Sequence, residues 1–328
     1  MPPPTTNEGL IEYIHSHFVK GGSSQIGARP GFAHALKLSY HLIDNKRVNL
    51  DGPDDKYYNY RYALSEDVPK FTIGLLCAAM DELSTNACFR VGLPAPPGMS
   101  LQMQTELVPR TNSKGKYYEN PLDDPTLKEL DMITCVTKLG RTVSYTRTDY
   151  VCVETGDLIG FSSHVKYMPT GSRLFNFILS TQWIYEAWEK YFLRSRELKM
   201  YEEKALFGDV IANHLEYKGL GRATFNITLE HTNPYASMHG GCHAMVMEEV
   251  VKSYAREELK CEKVGIQSIQ IDYIGAAKGT VDVVCETIGK VLPSQNGVKR
   301  EGSLYVRVKI QRGDRISSEG KMRIVSIS

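Results

Sequence analysis

Apolar and polar positions in this chain run through the same change of period twice. In the second half, residues 222–229 alternate as a strand does, and 232–238 is rich in turn residues. From 241 to 259 the period lengthens, with Ala244, Met245, Val246, Val250, Val251 and Tyr254 at helical spacing. Strand-like runs follow. Ile269, Ile271 and Tyr273 alternate with Ser268, Gln270 and Asp272, and 280–288 continues the series. Leu304, Val306, Val308 and Ile310 then alternate with Tyr305, Arg307, Lys309 and Gln311, and Met322 and Ile324 close the set. Period-two alternation predicts a sheet with one covered face. A long helix followed by an antiparallel meander predicts a sheet wrapped around that helix.

The first half repeats the order. Residues 58–64 read as a strand, and 71–89 as a helix carrying Leu75, Leu76, Ala79, Leu83 and Ala87. Leu101, Met103 and Leu107 then alternate with Gln102, Gln104 and Glu106. The run Gln102-Met-Gln-Thr-Glu106 has the pattern of Ser268-Ile-Gln-Ile-Asp272, about 166 residues further on. Residues 138–145 and 151–160 read as a hairpin with Glu154-Thr-Gly156-Asp at its turn. An internal repeat of this kind predicts two copies of one α+β unit.

Composition narrows the function classes. A chain of 328 residues has room for two ordinary domains. A net charge of +1 gives no electrostatic footprint for nucleic acid and no polybasic membrane patch. Seven cysteines without a Cys-x-x-Cys pair read as buried free thiols in a reducing compartment, not as a disulfide scaffold or zinc module. No apolar run is long enough to span a bilayer. Neither a basic leader nor an Arg-rich amphipathic start is evident, so a cytoplasmic location is expected, with mitochondria left open. His15 and His17, two apart in an amphipathic segment at 7–19, point to different sides of a helix, so no metal site is expected there.

The candidate chemistry sits at one helix start. Asn233-Pro-Tyr-Ala-Ser-Met-His239-Gly240-Gly241 places an amide, an imidazole and two glycines where the second-half helix begins, and Glu248 follows nine residues after the histidine. Free N–H groups at a helix N-terminus favour an oxygen that develops negative charge. A carboxylate can serve as base or nucleophile toward an activated acyl group. Taken singly, a Gly pair marks a turn and a helix Glu faces solvent; the joint spacing carries the signal.

This pattern resembles the signature of hotdog-fold acyl-CoA thioesterases, in which Asn-x5-His-Gly-Gly opens the central helix and an Asp or Glu follows on it. The resemblance implies an α+β chain of two tandem hotdog domains, each a long helix wrapped by an antiparallel sheet, forming an internal pseudo-dimer. It divides the chain into an N-terminal helical extension at 1–40, a first domain at 41–170 that has lost the His-Gly-Gly motif, a helical connector at 171–206, and a second domain at 207–328 that keeps it. Overlaying Glu248 on Asp81 puts Thr72 at the place of His239, Ile73 at that of Gly240 and Glu66 at that of Asn233, with only Gly74 retained. In the dimers of that family one subunit gives Asn, His and Gly, and the other gives the carboxylate and a serine from a Gly-Val-Ser run. Gly98-Met-Ser100 stands at that run here; Ile266 or Gln267 takes its place in the second copy. The resemblance therefore implies one complete composite site, with Asn233, His239 and Gly240 from the second domain and Asp81 and Ser100 from the first. Gly241, Glu248 and Glu82 are secondary candidates, Glu82 if the overlay slips by one.

The implied reaction is hydrolysis of an acyl-CoA to the carboxylic acid and CoA, with no metal or redox cofactor beyond the CoA of the substrate. Two other readings stay open: a catalytically inactive double-hotdog subunit with a structural or acyl-binding role, and an enoyl-CoA hydratase, whose Asp and His around Asn-Pro are missing at His231-Thr-Asn233-Pro234. A homo-oligomer of pseudo-dimers is compatible with each. Aromatic residues Phe175, Trp183, Trp188, Tyr191 and Phe192 mark the connector, and the polar inserts at 110–128 and 292–300 read as long loops at matching places. Lys114, Lys116 and Lys299 are candidates for CoA phosphates.

Overall fold

A computed structural model describes residues 40–43, 57–64, 68, 70–90, 99–140, 142–167, 209–233, 237–291 and 302–327. The predicted helix at 7–19, the connector at 171–206, Glu66 and the insert at 292–300 lie outside the described residues.

The first half contributes β1 (Tyr40–Ile43), β2 (Tyr57–Ala63), α1 (Ile73–Arg90), β3 (Met99–Leu107), β6 (Glu129–Leu139), β7 (Val143–Cys152) and β8 (Leu158–Tyr167), with a small hairpin β4 (Arg110–Thr111) and β5 (Tyr117–Tyr118) between β3 and β6. The second contributes β9 (Leu215–Gly219), β10 (Arg222–Asn226), α2 (Gly240–Leu259), β11 (Val264–Tyr273), β12 (Thr280–Val291), β13 (Ser303–Arg312) and β14 (Arg315–Ser326). Twelve strands form one sheet in the order β1-β2-β6-β7-β8-β3-β11-β14-β13-β12-β10-β9. Read outward from the central β3–β11 pair, the two halves list the same elements in the same order. All pairings in it are antiparallel.

The repeated segments are each other's partners. Glu106 pairs Ser268, Gln104 pairs Gln270 and Gln102 pairs Asp272, and the Gln102 side-chain amide donates to Asp272 Oδ1 at 2.8 Å. Both halves also carry an irregularity at the same step, between Ser100 and Gln102 against β8 and between Ile266 and Ser268 against β14. This register sets Ser100 opposite Ile266 in the repeat and Leu101 opposite Gln267, which resolves the earlier ambiguity.

The helices lie against their own half's strands and against each other. The contact is close enough to demand glycine. A Cβ on Gly241 would stand 2.4 Å from Ala78 Cα, and one on Gly74 would stand 3.0 Å from Met245 Cα. α1 starts two residues later than the periodicity suggests, because the Thr72 hydroxyl accepts from Leu75 N–H at 3.2 Å and caps the first turn. The predicted strand at 222–229 ends at Asn226 and gives way to a short 3-10 turn at Leu229–His231. The insert at 110–128 is not all loop: after the β4–β5 hairpin, Asn120 Oδ1 accepts from Leu122 N–H at 3.0 Å and starts a 3-10 turn at Pro121–Asp123. Among the described residues, no helix is long and apolar enough to cross a membrane.

Candidate active site

His239 is the N-cap of α2. Its extended backbone (φ −65°, ψ 144°) turns the chain into the helix, and its Nδ1 accepts from Gly241 N–H at 3.1 Å. Three bonds fix this entry. His239 N–H donates to His231 O at 2.8 Å, Tyr273 O–H donates to Gly240 O at 2.9 Å, and Met238 N–H donates to Ala277 O at 2.9 Å. Behind it, His243 Nδ1 bonds Ser318 Oγ at 2.7 Å and lies edge-on to Tyr273; burial pushes its pKa down to about 3.

Across the interface, α1 presents Asp81 to this helix start. Asp81 Oδ2 accepts from Gly241 N–H at 3.3 Å and lies 3.3 Å from His239 Nδ1, while Oδ1 accepts from Ser100 O–H at 3.0 Å. A Cβ on Gly240 would stand 2.5 Å from Asp81 Oδ2 and 2.9 Å from Ser100 Oγ, so only glycine lets the backbone approach both. Asp81, Ser100, His239, Gly240 and Gly241 thus meet in one place, supplied from both halves. Glu82 joins them through the imidazole, with Oε1 2.8 Å from His239 Nε2. The overlay does not slip, since Asp81 and Glu248 make equivalent bonds and Glu82 does something else. Asn233 bonds within its own loop: its Oδ1 accepts from Ser237 N–H at 3.3 Å and from Ser237 O–H at 3.1 Å.

Two members of the cluster were not found from the sequence. Lys166 on β8, 3 % exposed, places Nζ 2.8 Å from Asp81 Oδ1, donates to the Asp81 main-chain oxygen at 2.6 Å and also donates to Thr85 Oγ1. His164, two residues earlier on the same face, bonds Ser84 Oγ through Nδ1 at 2.8 Å and has Nε2 3.7 Å from Asp81 Oδ1. Their only signal in the sequence is polar residues at every second position, Ser162, His164 and Lys166.

The electrostatics follow from burial and pairing. Burial alone would raise the Asp81 carboxyl, but Lys166, then His239 and His164, outweigh it and hold it well below the ordinary carboxylate range. Burial, then Lys166, push His164 down to about 3, so it is uncharged near neutral pH and leaves Lys166 and His239 opposite the carboxylate. Burial pulls His239 down, yet Asp81 and Glu82 together raise it above its usual value. In its neutral form Nδ1 accepts from Gly241 N–H; as an imidazolium it turns an N–H toward each of two carboxylates.

The other interface has the same frame and different contents. Glu248 Oε2 accepts from Gly74 N–H at 2.7 Å, the counterpart of the Asp81–Gly241 bond, and Oε1 pairs with Lys252 on the same helix. Thr72 and Ile73 stand where His239 and Gly240 stand in the other copy. Ile266 replaces Ser100, and the cross-strand neighbour is Ile324 where Ser100 has Lys166. This end is also covered by the first half's insert. Gln267 Nε2 bonds Glu119 Oε1, and a Cβ on Gly265 would stand 2.6 Å from Asn120 Nδ2. Gln267 is 5 % exposed, whereas its counterpart Leu101 is 40 % exposed.

His214, Glu230 and His231 bring potential metal-ligating atoms within 4.8 Å of one another. The His231 ring is already used, with Nε2 donating to Val210 O at 2.6 Å and Nδ1 accepting from Thr228 N–H at 3.0 Å. Glu230 Oε1 holds His214 Nε2 at 2.8 Å. These residues tie the helical turn at Asp209–Ala212 to the segment whose His231 carbonyl receives the His239 N–H.

No protein-family model matches the chain, and no curated protein matches its sequence. Solved structures do resemble it. A putative oleoyl thioesterase from Lactobacillus plantarum superposes with a TM-score of 0.50 at 8 % identity, over 84 % of this chain and 98 % of that one. The 12:0-ACP thioesterase of Umbellularia californica does so with a TM-score of 0.50 at 9 % identity, over 86 % and 97 %. A protein of unknown function with a hotdog fold from Alicyclobacillus acidocaldarius matches at 8 % identity, over 87 % and 97 %, with a TM-score of 0.42. At these identities the likeness is one of fold. The chain shares the fold of the first two of these structures over most of its length.

Proposed function

We propose that this chain is an acyl-CoA thioesterase, built as two tandem hotdog domains in an internal pseudo-dimer, that hydrolyses an acyl thioester at one composite site between them. The observation that carries the reading is the meeting of Asp81 and Ser100 from the first half with His239, Gly240 and Gly241 from the second. The replaced and covered residues around Glu248 support a single working site. The thioesterase names of the proteins that share the fold support the reaction class. The compartment proposed is the cytosol, the substrate carrier is CoA, and no metal takes part.

The chemistry follows from where charge develops. Attack on the thioester puts negative charge on the carbonyl oxygen, and the Gly240 N–H at the start of α2 stabilises it; Asn233 assists from the preceding loop. Asp81, ionised and held against the start of α2, acts as the nucleophile. An Asp81 oxygen bonds to the acyl carbon, the C–S bond breaks, and CoA leaves as the thiolate. Water then attacks the acyl carbon of the mixed anhydride, releasing the acid and the Asp81 carboxylate, and its remaining proton goes to the thiolate to give CoA–SH. Ser100 orients Asp81 and the water, and His239, buttressed by Glu82, holds the loop and the helix start.

Hydrolysis of short, long and aromatic acyl-CoAs by wild type, Asp81→Asn and Glu248→Gln tests this. We expect Asp81→Asn to lose about a thousandfold or more in kcat, within the range for a lost base or nucleophile, and Glu248→Gln to stay within a few fold. The reverse pattern moves the chemistry to the other interface. No turnover on any member of the panel replaces the enzyme reading with a structural or acyl-binding one.

A further inference from the structure

Lys166 stands on the face of β8 that packs under α1, at a position where the repeat carries isoleucine. Its three ammonium protons have three acceptors, all on α1: Asp81 Oδ1, the Asp81 main-chain oxygen and Thr85 Oγ1. It is also paired across the ladder with Ser100, so neighbouring strands bring a lysine and a serine to the same carboxylate oxygen. The second half shows that the fold does not need this pair, because Ile266 and Ile324 fill the corresponding ladder position and are both buried. A buried ion pair adds little net stability over apolar side chains of similar volume. Packing therefore gives no reason for a lysine here, whereas fixing the charge and aim of Asp81 does.

We propose that Lys166 is the positioning residue of the site, holding Asp81 as a carboxylate with Oδ1 toward Ser100 and Oδ2 toward the first turn of α2. Its use in catalysis rests on the thioesterase reading; the arrangement itself does not. Among the described residues, the titratable groups around Asp81 are few. Lys166 and His164 face it from β8, His239 and His243 from the start of α2, Tyr273 from the end of β11, Cys77 from its own helix, and Glu82 acts through His239. His164 and His243 are uncharged near neutral pH, and Tyr273 and Cys77 are kept protonated by burial. Among the described residues, Lys166 thus brings an ammonium to 2.8 Å from Asp81 Oδ1, and His239 is the imidazole raised by its two carboxylate neighbours.

The test is a carboxyl-carbon NMR titration of the full chain, with the Asp81 resonance assigned by its loss in Asp81→Asn. It is run on wild type, Lys166→Met and Lys166→Arg beside pH profiles of kcat/KM. In wild type, Asp81 stays ionised to the acid limit of folding. In Lys166→Met we expect its midpoint to rise by about two pH units or more, the size of shift an adjacent cation produces. An acid limb appears in kcat/KM at the same midpoint, and Lys166→Arg restores the wild-type behaviour in part. An unmoved Asp81 midpoint in folded Lys166→Met overturns the proposal. If wild type hydrolyses no thioester, the function reading fails while the NMR titration still decides this one. Should Lys166→Met not fold, Lys166→Met on the Asp81→Asn background decides: recovered folding shows that the lysine serves the carboxylate, and continued failure shows that it serves packing alone.

Discussion

The two halves of the sheet wrap their helices with the same strands in the same order but line them differently. Under α2, the β13–β14 ladder carries Leu304–Ile324, Val306–Met322 and Val308–Gly320 inward. Under α1, the matching β7–β8 ladder carries Ser144–Lys166, Thr146–His164 and Thr148–Ser162, all buried. Two of these residues bond buried neighbours, Thr148 to Thr134 at 2.7 Å, and Ser162 to Thr105 at 2.6 Å and to Tyr150 at 2.5 Å. One fold therefore tolerates either an aliphatic or a polar interior. The polar lining lies on the side that holds Asp81, where buried charge has to be accommodated.

Substitutions can break or sharpen this contrast. The largest effect is expected where both halves depend on the same contact. Gly241→Ala drives a methyl onto the Ala78 backbone and should cost about 3 kcal/mol in urea unfolding, the upper range for overpacking. Gly74→Ala, which meets a movable Glu248 side chain first, should cost less. Next, Ser162→Ala removes two buried bonds and should cost about 2 kcal/mol. Its counterpart Gly320→Ala crowds the flexible Met247 thioether and should cost about 1 kcal/mol. If Ser162→Ala proves neutral, the polar lining is dispensable and the contrast loses its meaning.

The pH dependence separates the halves less sharply. His164 in the first half and His243 in the second are both held near pKa 3, below the unfolded value of about 6.5. The unfolded chain takes up these protons first, so stability should fall as pH drops through that window. Each histidine steepens the fall by up to about 1.4 kcal/mol per pH unit. The contribution of Asp81 goes later, because its folded value is depressed and its stabilisation is lost only below the unfolded value near 3.9. His239 works in the opposite sense, since its raised value gives stability that is full below about 6.5 and lost as pH rises through the folded value. Urea midpoints measured from neutral to acid pH for His164→Gln and His243→Gln should show the slope flattened in each. Asn120→Ala, which uncaps the 3-10 turn over the second interface, should give the smallest change, below about 1 kcal/mol.

What could be read from the sequence follows the same division. In β13 the inward residues are aliphatic, so alternation gave both the strand and its buried face. In β8 the parity misleads, because Phe161, Val165 and Tyr167 are only half-buried while Ser162, His164 and Lys166 are the interior. A rule that assigns apolar residues to the core cannot find a lysine placed there to hold a carboxylate, so Lys166 and His164 went unseen. The helix carboxylates were easier, since Asp81 and Glu248 sit at one fixed distance beyond a glycine that survives in both copies. The role of Glu82 needed the interface itself, because its partner His239 lies 157 positions away.

The β3–β11 seam has a further consequence. When two identical chains assemble about a twofold axis, every residue is present at both interfaces, and a change that improves one alters the other in the same way. Here the seam joins two stretches of a single chain, so lysine at position 166 and isoleucine at position 324 can be inherited together. Covalent continuity thereby releases each interface from the vote of the other. One can be kept for chemistry while its twin is given over to holding the molecule together.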